Sequence, residues 1–336
     1  MTIKNSKLKI LFVFSIFSLL YLLFPNKMEA QSLGLSVYPP LLEVMIKPGK
    51  TITQVYRLAN QSDSDLVMTT KILTFEPADE LGNVQLKTDS PSAIKDWFSF
   101  QNADLNLGDN FVLKTGQEQQ VVFKIKVPEN ALEDDYYLTL LFESLPELTL
   151  NQGNTQNKIQ IGANLLLTIS ETGEPPRKAE IAEFKIKNAW FKLSSWQFID
   201  SFVNPLFVLR IKNSGRSLFK PMGSMTVSGW SGQKYLLELL PENILINSIR
   251  QTQCFSTDKN QPFPCQLETN WKTKFLIGVY QAQVGFGLDK ISQDYQQTIH
   301  FFAFPFTLTG ILLFIILIFY LVKKYSRLKD SLDNSS

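Results

Sequence analysis

The chain has 336 residues, room for two ordinary domains plus terminal segments, and a net charge of +2, too balanced for a nucleic-acid binder that concentrates Lys and Arg on one face. With one histidine and two cysteines it excludes a zinc cluster and leaves a Ser-His-Asp or Cys-His nucleophile system almost without a base. No P-loop occurs, and Gly285-Phe-Gly287 is a lone glycine pair in an expected strand, so no cofactor is expected.

At the N-terminus, Lys4, Lys7 and Lys9 precede the uncharged run Ile10–Phe24; Pro25 ends it, and Met28-Glu29-Ala30 stands before Gln31. A basic start, an apolar run and a small residue at the cut predict a signal peptide over residues 1–30. An uncleaved N-terminal anchor is the alternative.

From Gln31 onward the pattern has period two. Val121, Phe123, Ile125 and Val127 share one face and Lys124 and Lys126 the other, the mark of a half-buried strand. Leu66, Met68, Thr70 and Ile72 repeat the pattern, as do Tyr136, Leu138, Leu140 and Phe142, and Leu165, Leu167 and Ile169. Turn residues punctuate them at Lys47-Pro48-Gly49, Asn60–Asp63, Leu81-Gly82-Asn83 and Thr115-Gly116-Gln117. Short strands at this spacing predict an immunoglobulin-like sandwich over residues 31–173. The alternation pauses in the polar stretch Glu171–Lys178, where Pro175-Pro176 predicts a stiff linker over 174–179. Strands resume at Phe184 and Ile186, at Phe207, Leu209 and Ile211, and at Tyr280, Ala282, Val284 and Phe286, giving a second sandwich over 180–302. A weak internal repeat supports two copies of one architecture: Val55–Asn60-Gln-Ser62 matches Val208–Asn213-Ser-Gly215, and Asp135–Leu140 parallels Gly278–Gln283. A tyrosine at such a strand start can fasten a sandwich corner by a backbone hydrogen bond. The expected fold class is all-β, two tandem immunoglobulin-like sandwiches plus one C-terminal transmembrane α-helix.

Cys254 and Cys265 flank the polar loop CFSTDKNQPFPC. In an oxidising compartment they predict a disulfide; metal binding is the alternative, with too few further ligands. The run Ala303–Val322 carries no charge, and twenty helical residues span about 30 Å, the thickness of a bilayer core. Lys323, Lys324, Arg327 and Lys329 follow, so by the positive-inside rule residues 323–336 are a cytoplasmic tail and the body is extracytoplasmic.

Two further groups carry alternatives. Glu133-Asp134-Asp135 reads as a carboxylate centre, as a calcium site, or as a solvated turn before the Tyr136 strand, the reading favoured here. Trp190, Phe191, Trp196, Phe198 and Phe202 read as a glycan- or protein-contact surface, or as packing in the second domain or at the domain junction, which is favoured. His300 is expected to be an interfacial strand residue.

The stretch Tyr38-Pro39-Pro40 to Lys47-Pro48-Gly49, then Tyr56–Ser62, and later Gln120–Pro128 and Asp134–Phe142, resembles the opening domain of the WxL-interacting protein family of bacterial cell surfaces. Ile244–Arg250, with Trp271, resembles that family's second-domain segment, although the cysteine-bearing insertion between them departs from it. The N-terminal domain is also similar to periplasmic pilus chaperones. The resemblance implies peptidoglycan binding through the first domain and a surface-protein partner through the second; it transfers no individual binding residue. The function expected is a non-enzymatic, membrane-anchored cell-surface adaptor whose partners are cell-wall glycan or a surface protein, with lipid around the C-terminal helix and no nucleic acid. The alternatives are a carboxylate-dependent cell-wall hydrolase and an accessory subunit of a membrane complex, whose helix would pair through Gly310.

Overall fold

A computed structural model describes residues 34–88, 94–145, 158–255, 262–265 and 275–333. The expected signal peptide, residues 31–33 and Trp271 lie outside the described residues.

The first sandwich is built from β1 (Leu35–Tyr38), β2 (Leu41–Ile46), β3 (Thr51–Asn60), β4 (Leu66–Pro77), β5 (Val84–Leu86), β6 (Phe98–Phe100), β7 (Phe111–Leu113), β8 (Glu118–Lys126), β9 (Asp135–Ser144) and β10 (Gln160–Ile169). One sheet runs β1-β3-β8-β6 and the other β2-β10-β9-β4-β5, with β7 also on β4. The alternation of β8 does what its sequence dictates: Val121, Phe123 and Ile125 enter the core while Lys124 and Lys126 stay outside. Phe123 is the centre of that core, with Tyr56, Phe98 and Phe100 rings at 5.6 to 6.0 Å.

The second sandwich comprises β11 (Ala179–Ile186), β12 (Phe191–Leu193), β13 (Trp196–Asp200), β14 (Phe207–Asn213), β15 (Pro221–Gly229), β16 (Lys234–Leu239), β17 (Ile249–Gln251), β18 (Cys254–Phe255), β19 (Pro262–Phe263), β20 (Gly278–Leu288) and β21 (Tyr295–Phe304). Its sheets run β11-β14-β17 and β12-β13-β21-β20-β15-β16-β18-β19. Cys254 and Cys265 are joined as a disulfide, buried where the outermost strands of the larger sheet meet the core.

The repeated Asn-ended strands fold alike. Buried Asn60 donates from Nδ2 to the carbonyls of Ser64 and Leu113, and its Oδ1 accepts the N–H of Ser62. Buried Asn213 donates to the carbonyls of Ser217 and Ile244, and its Oδ1 accepts the N–H of Gly215. In each sandwich one amide closes an Asx turn and ties it to a distant strand, satisfying carbonyls that would otherwise be buried without partners.

The C-terminal helix, α1 (Phe306–Asp333), departs from the apolar run at both ends. Ala303 and Phe304 belong to β21, because Pro305 has no N–H and holds the residue before it extended. At the other end the helix continues past Val322 through the basic residues, which are good helix formers. Its first twenty residues, Phe306–Tyr325, are long and apolar enough to cross a membrane, and none is buried against the rest of the chain. Asp200 caps the helix from the neighbouring strand, its Oδ2 accepting the Thr307 N–H at 2.8 Å and hydroxyl at 2.9 Å. Burial pushes this carboxyl up, but the N–H groups of Thr307 and Phe202 and the Thr307 hydroxyl outweigh it and hold it below its ordinary range.

Candidate binding cleft between the sandwiches

The outer face of the first domain's larger sheet meets the second domain. Phe75 on β4, Tyr137 on β9 and Leu166 on β10 point outward and are covered by Leu218 and Leu245, a small apolar cluster separate from both cores. The Phe75 and Tyr137 rings stack at 5.9 Å.

Around this cluster the polar groups are paired across the junction. Asp135 accepts the Leu218 N–H at 2.6 Å, the Ser217 hydroxyl at 3.0 Å and the Tyr137 hydroxyl at 2.9 Å. The Tyr137 oxygen in turn accepts the Ile246 N–H at 3.1 Å. Burial, then the neighbouring Asp135 charge, pushes the Tyr137 hydroxyl well above its ordinary range, so it remains a donor at any physiological pH. Ser217 is in reach because Asn213 holds its carbonyl, so the repeated Asn corner also positions this bridge. The acidic run is a solvated turn only in part: exposed Glu133 accepts the Glu171 N–H at 2.6 Å and exposed Asp134 the Asp135 N–H, while half-buried Asp135 joins the sandwiches. No grouping of His, Cys, Asp and Glu suited to a metal occurs among the described residues.

Beside the bridge the sheet face opens into a cavity of about 140 Å³, lined by Leu41, Phe75, Val84, Leu166 and Leu245 with Asp79, Asn83, Asn164, Asn243 and Arg250 at its polar side. That is close to the roughly 150 Å³ that admits one aromatic ring. The carboxylates around it are all engaged. Glu43 meets Lys220 at 2.5 Å and the Asn243 amide, Glu80 meets Arg210 at 2.8 Å, and Glu242 meets Arg250 at 2.5 Å. Asp79 closes its own turn onto the Leu81 and Asn83 N–H groups and the Asn83 amide. The Asn83 side chain, with these N–H groups, lowers its pKa. By contrast, Arg250 Nε and Asn243 Oδ1 are buried here with no protein partner. The Arg250 guanidinium lies flat on Gly82 (φ +91°), where a Cβ would stand 2.4 Å from it. Along the cleft's margin, β2 is the end strand of its sheet among the described residues, and Leu41 and Met45 are exposed on it.

The other residues singled out in the sequence lie elsewhere. Gly285 and Gly287 sit within β20, facing β15. His300 is in β21 with the Trp196 ring 5.4 Å away. The aromatic segment divides: half-buried Phe198 packs in the second sandwich between Phe191 at 4.4 Å and Phe302 at 6.0 Å, whereas Trp190, Phe191, Trp196 and Phe202 are exposed at its edge and helix-bearing end. Sequence reasoning passed over Glu43 and Glu80, whose partners Lys220 and Arg210 lie more than a hundred residues away along the chain, and it expected a corner-fastening tyrosine at the start of β9 without finding the partner of Tyr137, the Ile246 N–H.

No protein-family model matches the sequence, and no curated protein does. Among solved structures, the class 5 fimbriae chaperone CfaA is similar at 9% identity and a TM-score of 0.37, over 80% of this chain and 98% of that one. The CsuC-CsuE chaperone-tip adhesion subunit complex of Acinetobacter baumannii is similar at 11% and 0.32, over 81% and 99%. The Salmonella enterica SafA pilin–SafB chaperone complex is similar at 10% and 0.34, over 81% and 98%. Similarities of this size assign neither a family nor an activity.

Proposed function

We propose that this chain is a non-enzymatic adaptor of the bacterial cell surface, of the kind the WxL-interacting proteins represent. In this reading residues 1–30 direct export and the sandwiches of 31–173 and 180–302, joined by the linker 174–179, stand outside the cell. The apolar helix crosses the membrane, and the basic C-terminus is cytoplasmic. The body binds wall peptidoglycan, a surface protein, or both.

The observation that carries the reading is the cleft itself. Its carboxylates are engaged, Glu43 and Glu80 across the junction, Glu242 on Arg250 within the second sandwich and Asp79 in its own turn, which leaves a concave surface with binding groups and, among the described residues, no free acid–base pair. The end strand β2 beside it offers backbone edge groups to an extended partner, and Asn83, Asn164 and Asn243 are the amide donors and acceptors that glycan hydroxyls use. A shallow module of this type binds at roughly micromolar affinity, and tethering to the membrane raises its effective concentration.

The test is sedimentation of the detergent-purified full chain with purified cell-wall sacculi. Retention of the chain, with no soluble sugar or peptide released on long incubation, is the expected result. Capture of a surface protein without wall retention moves the function to protein scaffolding. Release of fragments, abolished by changing one carboxylate, overturns the non-enzymatic reading.

A further inference from the structure

Strand registers fix which residues lie level with the start of α1. Asp200 pairs with Phe304, so Phe202 and Val203, just beyond it, reach the level of the helix start. Gly278 pairs with Ala303, so Phe275 and Ile277, which precede it, reach the same level. Trp230 joins them, its indole N–H donating to the Ile277 carbonyl at 2.7 Å. Trp190 packs on Phe306, the first helical residue, with ring centroids 4.9 Å apart. Four separate segments thus bring Trp190, Phe202, Val203, Trp230, Phe275 and Ile277 to one end of the sandwich, around the exit of the helix. All six are exposed, Trp190 by 60% and Trp230 by 68%.

Outside the helix, seven exposed aromatic side chains occur among the described residues, and all but Tyr38 lie at this end or on the adjoining β12–β13 edge. Large apolar side chains left in water on four segments at one level mark a surface that something covers. We infer that these residues form a collar that docks the second sandwich onto the headgroup region of the bilayer that α1 enters. This rests on the reading of α1 as a membrane span. Continuity argues for lipid over a protein partner: the collar touches Phe306 itself, and no flexible spacer lies between β21 and the helix, so the bilayer surface falls at the collar's own level. The residue types agree, since Trp, an apolar ring with one polar N–H, collects at membrane interfaces, and Phe serves with it on the apolar faces of interfacial elements. The collar fixes the tilt of the body relative to the membrane and hence the direction in which the cleft faces.

The test uses the full chain reconstituted in phosphatidylcholine vesicles, with flotation to score insertion. Variants keep a single tryptophan at 97, 190 or 230, the others being replaced by Phe, and circular dichroism checks their fold. A nitroxide attached high on the lipid acyl chain should quench Trp190 and Trp230 roughly twofold more than Trp97, which lies in the first sandwich. The Phe202→Ser, Phe275→Ser chain should still float while Trp230 quenching falls toward the Trp97 level. If the chain floats but Trp190 and Trp230 are quenched no more than Trp97, the collar is overturned and the surface belongs to a protein partner. If the chain does not float, the membrane-span reading fails and takes the collar with it.

Discussion

Replacing Tyr137 with Phe removes one oxygen and leaves the ring stacked on Phe75. Two groups lose a partner. Asp135 keeps its other two donors, Leu218 N–H and Ser217 hydroxyl, so its loss is small. The Ile246 N–H, which the Tyr137 oxygen accepts at 3.1 Å, carries most of the cost. A donor left unsatisfied costs about 1–3 kcal/mol, and this half-buried one recovers part of that from water, so about 1–2 kcal/mol is expected. If the bond opens locally, that range is a factor of about 5–30 in the population of the open state. The assay is amide hydrogen exchange by mass spectrometry over residues 244–247 in the detergent-solubilised full chain. Tyr137→Phe should accelerate exchange there by that factor and leave β8 and β20 unchanged. An unchanged rate at Ile246 would show that the hydroxyl bridge contributes nothing. Uniform acceleration through both sandwiches would place the hydroxyl in global folding and refute its role at the junction.

Glu143 is buried against Lys158 (2.6 Å) and Lys71 (3.3 Å); burial pushes its carboxyl up, but the two ammonium groups outweigh this and hold it below its ordinary range. A carboxyl depressed in the folded state stabilises fully above its unfolded pKa of about 4.3 and loses that contribution as pH falls through the folded value, so the melting temperature should drop below about pH 4 and Glu143→Gln should flatten that drop. Changing Cys254 and Cys265 to Ala together should lower stability by about 3 kcal/mol for a separation of 11 residues, read as a denaturant midpoint; equal midpoints would refute the chain-entropy account. Gly82→Ala forces a Cβ onto the Arg250 guanidinium at a positive φ, whereas Gly116→Ala meets open space at a similar φ, so each bears a backbone cost of about 1–2 kcal/mol and only the first should add a loss at the junction, where Arg250 holds the Asn243 carbonyl, visible as faster exchange at the adjoining Ile244 N–H.

What the sequence disclosed follows from the range of the forces involved. Period-two burial in β8 and the Asn60 and Asn213 turns are set by neighbours a few residues away, so they were legible. The helix start was misplaced by three residues because hydropathy is blind to Pro305, while backbone geometry is not. The acidic run read as a solvated turn because an isolated Asp looks the same in either role; only the fold brings Ser217 and Leu218 to Asp135. The aromatic segment read as packing in the second domain or at the junction because large aromatics fill such places, and only the fold shows Phe198 packed while Trp190, Phe191, Trp196 and Phe202 stand exposed. Glu143 carried no local signal, since Lys71 reaches it from another strand.

The seating of β21 between β13 and β20 has a mechanical consequence. A tug on α1 is delivered along the axis of β21, and the ladder bonds on both flanks lie across that axis. Such a load shears many bonds together, where a strand peeled from a sheet's margin would release them one after another. A pull on α1 is therefore spread over the two ladders flanking β21, so the middle of the larger sheet, and no single bond, takes the load.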